Sequence, residues 1–223
     1  MAQHRRRLHP GASEISASDI EIRPCRAADE PDLYRICLAT GESGQDASGL
    51  YEDSDIVGHI YAGPYPRFSP DTCFVAEDAD GVTGYILGAL DTRRFEADLE
   101  THWWPPLRAR YADPPRDSRA DWTRDQWRAW QIHHPFATPD WLAGPYPSHL
   151  HIDLLPRLQG RGIGKRMVDH WLGRVRALGS RGAHLGVGPS NTRALKFYRA
   201  YGWREIEGDG SDRTRTAWFG LDL

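Results

Sequence analysis

The sequence predicts a mixed α/β fold (α+β in its first half): a central sheet of about seven strands with helices packed on it. Three observations carry that prediction. Strand-like and helix-like runs alternate from residue 149 to residue 206, the pattern of a sheet with crossover helices. Two apolar, β-rich runs, Thr72–Glu77 and Val82–Leu90, are joined by Asp78-Ala79-Asp80-Gly81, a hairpin signal. The run His149–Leu155 passes through Pro156 into a glycine-rich turn, Gln159–Gly164, that opens directly onto a helix.

Met1–Ser18 is polar, carries Arg5-Arg6-Arg7 and lacks the apolar core of a secretory signal, so a disordered tail is expected there. Ile20–Arg23 is the first strand. Asp29–Ala39 follows as a helix with an acidic first turn and with Leu33, Ile36 and Cys37 on one side. Gly41–Gly49 reads as loop and Asp55–Ala62 as a second helix; the hairpin then supplies the second and third strands. Residues 92–148 break the pattern. They hold six of the nine Trp and a high share of the prolines. Helical spacing is confined to Arg94–Thr101 and Trp122–Ile132, with prolines read as punctuation. No linker or low-complexity repeat sets this stretch apart. It is expected to be an insertion, between the third and fourth strands, on a single domain spanning 19–223. After it come the fourth strand, His149–Leu155, helix Gly162–Leu178, strand Ala183–Val187, helix Thr192–Tyr201, and strands near Trp203–Ile206 and Thr214–Leu221.

A net charge of −3 argues against a nucleic-acid footprint, and no apolar run is long enough to cross a bilayer. Cys25, Cys37 and Cys73 are widely spaced and form no C-x-x-C pair. That points to a reducing compartment, the cytoplasm, rather than to a disulfide or metal framework. Neither nucleic acid nor membrane is expected as a partner, and a homodimer stays open.

The glycine-rich turn aims backbone N–H groups at one point, at the positive end of a helix dipole, which suits a phosphate or pyrophosphate. Two familiar phosphate loops fail. A P-loop needs glycine at 159 and Ser or Thr at 166, where the chain has Gln159 and Arg166; a dinucleotide fingerprint needs glycine at 165, which is Lys165. A helix start with glycines for close packing is the plain alternative. The pattern Gln159-Gly160-Arg161-Gly162-Ile163-Gly164 instead resembles the pyrophosphate loop of the GNAT acyltransferase superfamily, Q/R-x-x-G-x-G/A. Downstream, Asn191-Thr-Arg-Ala194-Leu-Lys-Phe197-Tyr198-Arg-Ala-Tyr201-Gly202-Trp203 resembles the closing motif of that family, N-x-x-A-x-x-F-Y-x-x-x-G-[FW], with every specified position filled. Asn191 suits a helix N-cap and Gly202 a helix stop. A capped amphipathic helix accounts for Phe197 and Trp203 on packing alone.

More particular phrases, Ile22-Arg23-Pro24, Leu33-Tyr34-Arg35-Ile36-Cys37, Cys73-Phe74-Val75-Ala76-Glu77-Asp78, Gly84-Tyr85-Ile86-Leu87-Gly88, Ser180-Arg181-Gly182-Ala183 and Leu195-Lys196-Phe197-Tyr198, resemble the acetyltransferase-like domain of the eukaryotic O-GlcNAc hydrolase and its free-standing bacterial relatives. The animal domains of that group are degenerate at the cofactor loop; this chain has the loop complete.

The resemblance implies a GNAT fold whose sheet splays between the fourth and fifth strands, with acetyl-CoA as cosubstrate and no metal. It places the pantetheine arm against Leu154, Leu155 and Pro156 and an oxyanion-stabilising backbone N–H around Leu154–Leu155. The pyrophosphate falls to Gln159, Gly160, Arg161, Gly162, Ile163, Gly164 and Lys165, with Asn191, Arg193 and Tyr198 completing the cofactor side. Arg161 and Lys165 are the favoured cations. Tyr198 is implied as general acid for the departing thiolate. For the base, strand alternation puts His149, His151 and Asp153 on one face. Asp153, nearest the splay, and His151 are the candidates; a trio that merely satisfies neighbouring polar groups is the alternative. The expected activity is N-acetyl transfer to a primary amine by direct attack in a ternary complex. A non-catalytic module that binds acyl-CoA or a protein is the other reading. Trp103, Trp104, Trp130 and Trp141, with Tyr61, Pro64, Tyr65 and Pro66, are candidates for an aromatic acceptor wall, against the plainer expectation that they pack the insertion onto the sheet.

Overall fold

The computed structural model describes residues 19–208 and 216–223. The expected tail, Met1–Ser18, and the first two residues of the expected last strand, Thr214 and Arg215, lie outside the described residues. Seven strands, β1 Glu21–Pro24, β2 Cys73–Asp78, β3 Gly81–Ala89, β4 Ser148–Leu154, β5 Gly182–Val187, β6 Arg204–Ile206 and β7 Ala217–Asp222, form one sheet in the order β1-β2-β3-β4-β5-β7-β6. Every neighbouring pair is antiparallel except β4 and β5, which run parallel.

The helices among the described residues are α1 Glu30–Thr40, α2 Ile56–Tyr61, α3 Pro64–Phe68, α4 Thr92–Asp98, α5 Trp104–Arg110, α6 Arg124–His133, α7 Asp140–Ala143, α8 Ile163–Ala177 and α9 Thr192–Tyr201. In α8 the buried residues Ile163, Met167, Val168, Trp171, Leu172 and Val175 recur every three or four positions and form one apolar stripe. That stripe packs with Phe74, Ile86, Leu150 and Phe219 on one face of the sheet. The other face carries Tyr85, Leu87 and Ala89 of β3 against α1, α2 and the insertion. Successive β4 residues therefore divide between two cores. Leu150, Ile152 and Leu154 pack on the α8 side, and His149, His151 and Asp153 turn to the other face, shared by α1, α2, α3 and the insertion.

Two short helices escape a sequence reading that takes proline as a breaker. α3 begins at Pro64, and α5 holds Pro105 and Pro106 in its first turn. A first-turn proline lacks only an N–H that has no helical partner, so it starts a helix as readily as it ends one. The helix expected over Arg94–Thr101 starts at Asp91, whose carboxylate accepts the Arg94 N–H at 3.0 Å, and continues through a π-helical turn, Leu99–Trp103. α6 starts on a reciprocal Thr123–Gln126 capping box.

The edge strand β1 is fixed by charge. The buried Arg23 guanidinium forks onto Asp29 at 2.7 and 2.8 Å, and its Nε meets Glu77 of β2 at 2.5 Å. Asp29 also accepts the Arg26 N–H at 2.7 Å, so one carboxylate ties β1 to the start of α1. The Arg23 hydrogen bond holds the Asp29 carboxyl below its usual range. Removing the carboxylate leaves a cation that is nearly sealed from water with Glu77 as its one remaining carboxylate partner among those described. Asp29→Ala is expected to destabilise the protein by about 3 kcal/mol, whereas the double change Arg23→Met, Asp29→Leu should cost much less. Urea unfolding of the two variants checks this; equal losses in both would rule out the buried-charge account.

Candidate active site

β4 and β5 pair only at Ser148↔Ala183 and His149↔His184 and then diverge. β4 stays zipped to β3 as far as Leu154, and the Leu155 N–H reaches the Thr83 carbonyl at 3.0 Å. Because antiparallel backbone groups alternate in direction, the N–H groups of Ile152 and Leu154 point away from β3, into the opening. The sequence left Leu154 and Leu155 as equal sources of a free amide. The structure narrows this to Leu154, since Leu155 has spent its N–H on Thr83. Gln159 then caps what the splay leaves exposed. Its Nε2 donates to the Leu154 carbonyl at 2.7 Å while its Oε1 accepts from Arg193 of α9.

The glycine-rich turn has the backbone that its sequence demands. Gly160 and Gly162 sit at φ 75° and 78°, in the left-handed region, and a Cβ at either would meet nothing within 4 Å. Glycine is needed there for conformation, and the turn stays open for a ligand to approach. The first intrahelical bond of α8 runs from the Arg166 N–H to the Gly162 carbonyl at 3.1 Å. The preceding N–H groups, through Lys165, lie at the positive helix end. Ile163 contributes only its N–H, because its side chain is core, and Gly164 packs against Leu154 and Phe197.

The cations divide. Arg161 is exposed beside the turn. Lys165 lies back along α8 on Asp169, 2.8 Å away. Arg193 reaches across to Gln159. Asn191 caps α9, its Oδ1 accepting the Ala194 N–H at 3.1 Å.

Asp153 is half-buried on β4, and Tyr85, its partner across the β3 register, donates its hydroxyl to it at 2.5 Å. Removal from water pushes the Asp153 carboxyl up to about 6, and the Tyr85 hydrogen bond only partly restrains it. Tyr198 is buried among Phe197, Trp203 and Phe219. Its hydroxyl makes no hydrogen bond to a described residue, and burial, then the Asp153 charge, raises its pKa well above that of a free phenol. Burial lowers the half-buried His151 to about 4, so it is neutral. It touches the rings of Tyr61 and Tyr65 edge-on. Sequence reasoning missed Tyr85. A phenol in the middle of an otherwise apolar strand was the available signal.

Two more histidines stand behind His151. Thr92 donates its hydroxyl to the Pro147 carbonyl at 2.8 Å, so its oxygen accepts the His149 Nδ1–H, also at 2.8 Å. His149 Nε2 consequently accepts from the Tyr65 hydroxyl at 3.0 Å. His184, which the sequence did not nominate, donates Nδ1–H to the Tyr146 carbonyl at 2.6 Å. Burial holds both imidazoles neutral. Among the described residues no group of three or more His, Cys, Asp or Glu is disposed to hold a metal ion.

A cavity of about 510 Å³ opens where β4 and β5 part, reaching His151 on one strand and Leu185 and Gly186 on the other. The insertion forms its far wall. Of the four nominated tryptophans, Trp104 lines it. Trp103 instead donates to the His59 carbonyl at 2.8 Å, Trp130 clusters with Trp122 and Trp127, and Trp141 packs at Gly208. Tyr61 and Tyr65 line the cavity as expected, and Pro64 and Pro66 do not. Phe136 and Trp218, which the sequence did not single out, complete it.

A mixed sheet whose two parallel strands part beside a glycine-rich helix N-terminus defines a class of acyl-transfer folds. The chain belongs to the acetyltransferase (GNAT) family, whose model it matches over residues 22–203. It is 32% identical to the rat Protein O-GlcNAcase over 187 residues and 30% identical to the mouse protein over 185 residues, in each case 83% of this chain. It spans only 20% of the length of those curated relatives. The crystal structure of SsHAT superposes with a TM-score of 0.80 at 33% identity, over 92% of this chain and 98% of that one. A phosphinothricin acetyltransferase from Sinorhizobium meliloti, solved in complex with AcCoA, shares the fold at a TM-score of 0.51 and 17% identity, over 92% of this chain and 89% of that one.

The buried histidines make stability depend on pH. Below the ordinary imidazole pKa of 6.5 the unfolded chain takes up protons that His149, His151 and His184 refuse until well below it, about pH 4 for the last two. Stability is therefore lost as pH falls through that window. Asp153 acts in the opposite sense between about 6 and 3.8, but it is one group against three. The urea midpoint should thus fall between pH 7.5 and about pH 5, and His151→Gln should flatten the dependence. A midpoint unchanged over that range in the unmutated protein would exclude neutral buried imidazoles.

Proposed function

We propose that this protein is an acetyl-CoA-dependent N-acetyltransferase that acetylates a primary amine by direct attack in a ternary complex. The observation that carries the reading is the Asp153 carboxyl and the Tyr198 hydroxyl lying at one splay beside an open glycine turn. The residues present fit the cosubstrate. Left-handed Gly160 and Gly162 leave space against the helix N-terminus, Arg161 and Arg193 flank it, and Asn191 holds the facing helix in place. Lys165 joins the phosphate side by leaving its exposed pair with Asp169, a contact of small energetic weight. The Ile152 and Leu154 edge of β4 offers backbone partners for an extended arm.

Acetyl-CoA, when bound, supplies a thioester carbonyl as acyl donor. The chain does the rest. Asp153 takes the ammonium proton, directly or through one water, and so delivers a neutral amine. The Leu154 N–H points to where negative charge gathers on the carbonyl oxygen. The C–N bond forms as the C–S bond breaks, Tyr198 gives its proton to the departing sulfur, and the second proton shed by the new amide nitrogen returns through water to the Tyr198 phenolate. A phenol held fully protonated by burial has that proton to give. His151, with a pKa of about 4, is the weaker base and serves to orient the acceptor.

For an acceptor that is itself neutral across the range, Asp153 instead takes the proton that the nitrogen sheds on attack, so kcat/KM should rise tenfold per pH unit below about pH 6, where Asp153 deprotonates, and level off above it. Asp153→Asn is expected to abolish that limb and lower turnover by about 100-fold or more, and Tyr198→Phe to lower kcat by a similar factor. Acetyl-CoA affinity by calorimetry should stay near normal in both. Free-thiol release from acetyl-CoA over a panel of primary amines is the assay. Tight acetyl-CoA binding with no release on any amine would overturn the enzyme reading in favour of a binding module.

A further inference from the structure

The cavity beside the splay has a chemical character more specific than "amine site". Its volume, about 510 Å³, falls within the ~300–1,000 Å³ of small-molecule sites. Six aromatic rings wall it: Tyr61, Tyr65, Phe95, Trp104, Phe136 and Trp218. Phe136, 47% exposed, lies on Trp218 with the rings 15° from parallel and 5.8 Å apart, joining the insertion to β7. Large exposed apolar groups are few among the described residues, and this one borders the cavity.

The cavity has one charged side chain in its lining, and it is already bonded. The Glu96 oxygens take the Arg93 guanidinium at 2.9 Å and the Thr138 N–H at 2.7 Å, and that guanidinium also pairs with the exposed Asp140. What remains is neutral hydrogen bonding. The Tyr61 oxygen accepts from Arg128 at 3.1 Å and from Gln131 at 3.3 Å, and its own proton meets no described acceptor. His184 spends Nδ1–H on the Tyr146 carbonyl, which leaves Nε2 as an acceptor. The His151 ring has aromatic contacts and no hydrogen bond to a described residue.

We propose that the acceptor is a small primary amine carried on an uncharged aromatic ring, the ring seated between Trp104 and the Phe136–Trp218 stack and the nitrogen directed along β4 toward Asp153. This rests on the acyl-transfer reading above. A polyamine or a lysine side chain brings extra cationic or flexible polar chain into a space with no free carboxylate to receive it, and burying such charge unpaired is costly. An aryl body instead gains ring contacts on several sides. The nitrogen is then the only charged group, and it is discharged at Asp153.

The test uses the full chain, with acetyl-CoA and three acceptors: 2-phenylethylamine, spermidine and Nα-acetyl-lysine amide. Thiol release gives kcat/KM for each, and calorimetry gives binding of 2-phenylethylamine independently of turnover. The expected result is a preference of about tenfold or more for 2-phenylethylamine. Phe136→Ala should raise its KM about fivefold to tenfold, with Tm and the KM for acetyl-CoA unchanged. Acetylation that favours spermidine or the lysine amide, equal rates on all three, or a Phe136→Ala enzyme with unaltered KM overturns this inference and leaves acyl transfer standing. Binding of 2-phenylethylamine that Phe136→Ala weakens, without acetylation of any amine, overturns acyl transfer, and with it the acceptor role, while showing that the cavity seats an aryl amine. The absence of both binding and acetylation of 2-phenylethylamine overturns the inference outright.

Discussion

Everything at this site depends on one broken pairing. β4 and β5 are parallel neighbours that share two register positions and then part. A strand that loses its partner in mid-sheet exposes N–H and C=O groups that must find other partners or meet water. The structure answers only half of that demand. Gln159 satisfies the Leu154 carbonyl, and no described residue takes the Leu154 N–H. The gap is thus a one-sided polar edge, acceptor capped and donor open, flanked by two strands too far apart to close it. The glycine turn, the end of α9 and the insertion each border that gap, and each borders it because the gap is there.

Burial sets the chemistry of the gap with few charged neighbours. On one β4 face, three alternate positions hold two imidazoles and a carboxyl, each half-buried and desolvated at its polar atoms. Desolvation favours the neutral form of each, which lowers the histidines and raises the aspartate. The same effect keeps the Tyr198 phenol protonated. A single physical cause therefore yields a near-neutral base and a fully protonated acid a short distance apart, which is the pairing that acid–base chemistry at neutral pH calls for.

Much of this was legible in the chain. The strands carry their alternation openly, α9 matches its expected limits because Asn191 and Gly202 mark both ends, and Gln159–Gly164 has a spacing that few structures other than a turn onto a helix accommodate. The insertion was legible only as an anomaly. Prolines serve as helix starters at Pro105 inside it and at Pro64 outside it, and sequence alone does not separate that role from breaking. The cavity was less legible still, since its walls come from residues 60–65, 95–104, 131–138, 149–151, 184–188 and 216–218. The Tyr85–Asp153 contact spans 68 positions and is fixed by the β3–β4 register rather than by any local pattern. Which of Leu154 and Leu155 has a free amide is likewise a question of ladder phase, a property that composition and periodicity do not encode.

The hydrogen bonds of the buried histidines bear on how this fold could have been assembled. His149 lies on β4 and His184 on β5, both strands of the central sheet, yet the groups that receive their ring protons, Thr92 and the Tyr146 carbonyl, belong to the stretch between β3 and β4. Splicing Ala89 to Ser148 would leave a buried imidazole, His184, and a half-buried one, His149, without these acceptors and Tyr65 with a misdirected partner. The stretch is accordingly no transplantable cassette. Its two ends are written into the polar interior of the sheet, so the framework and its insertion must have changed together, and a graft of either onto a plainer relative would need both histidines exchanged with it.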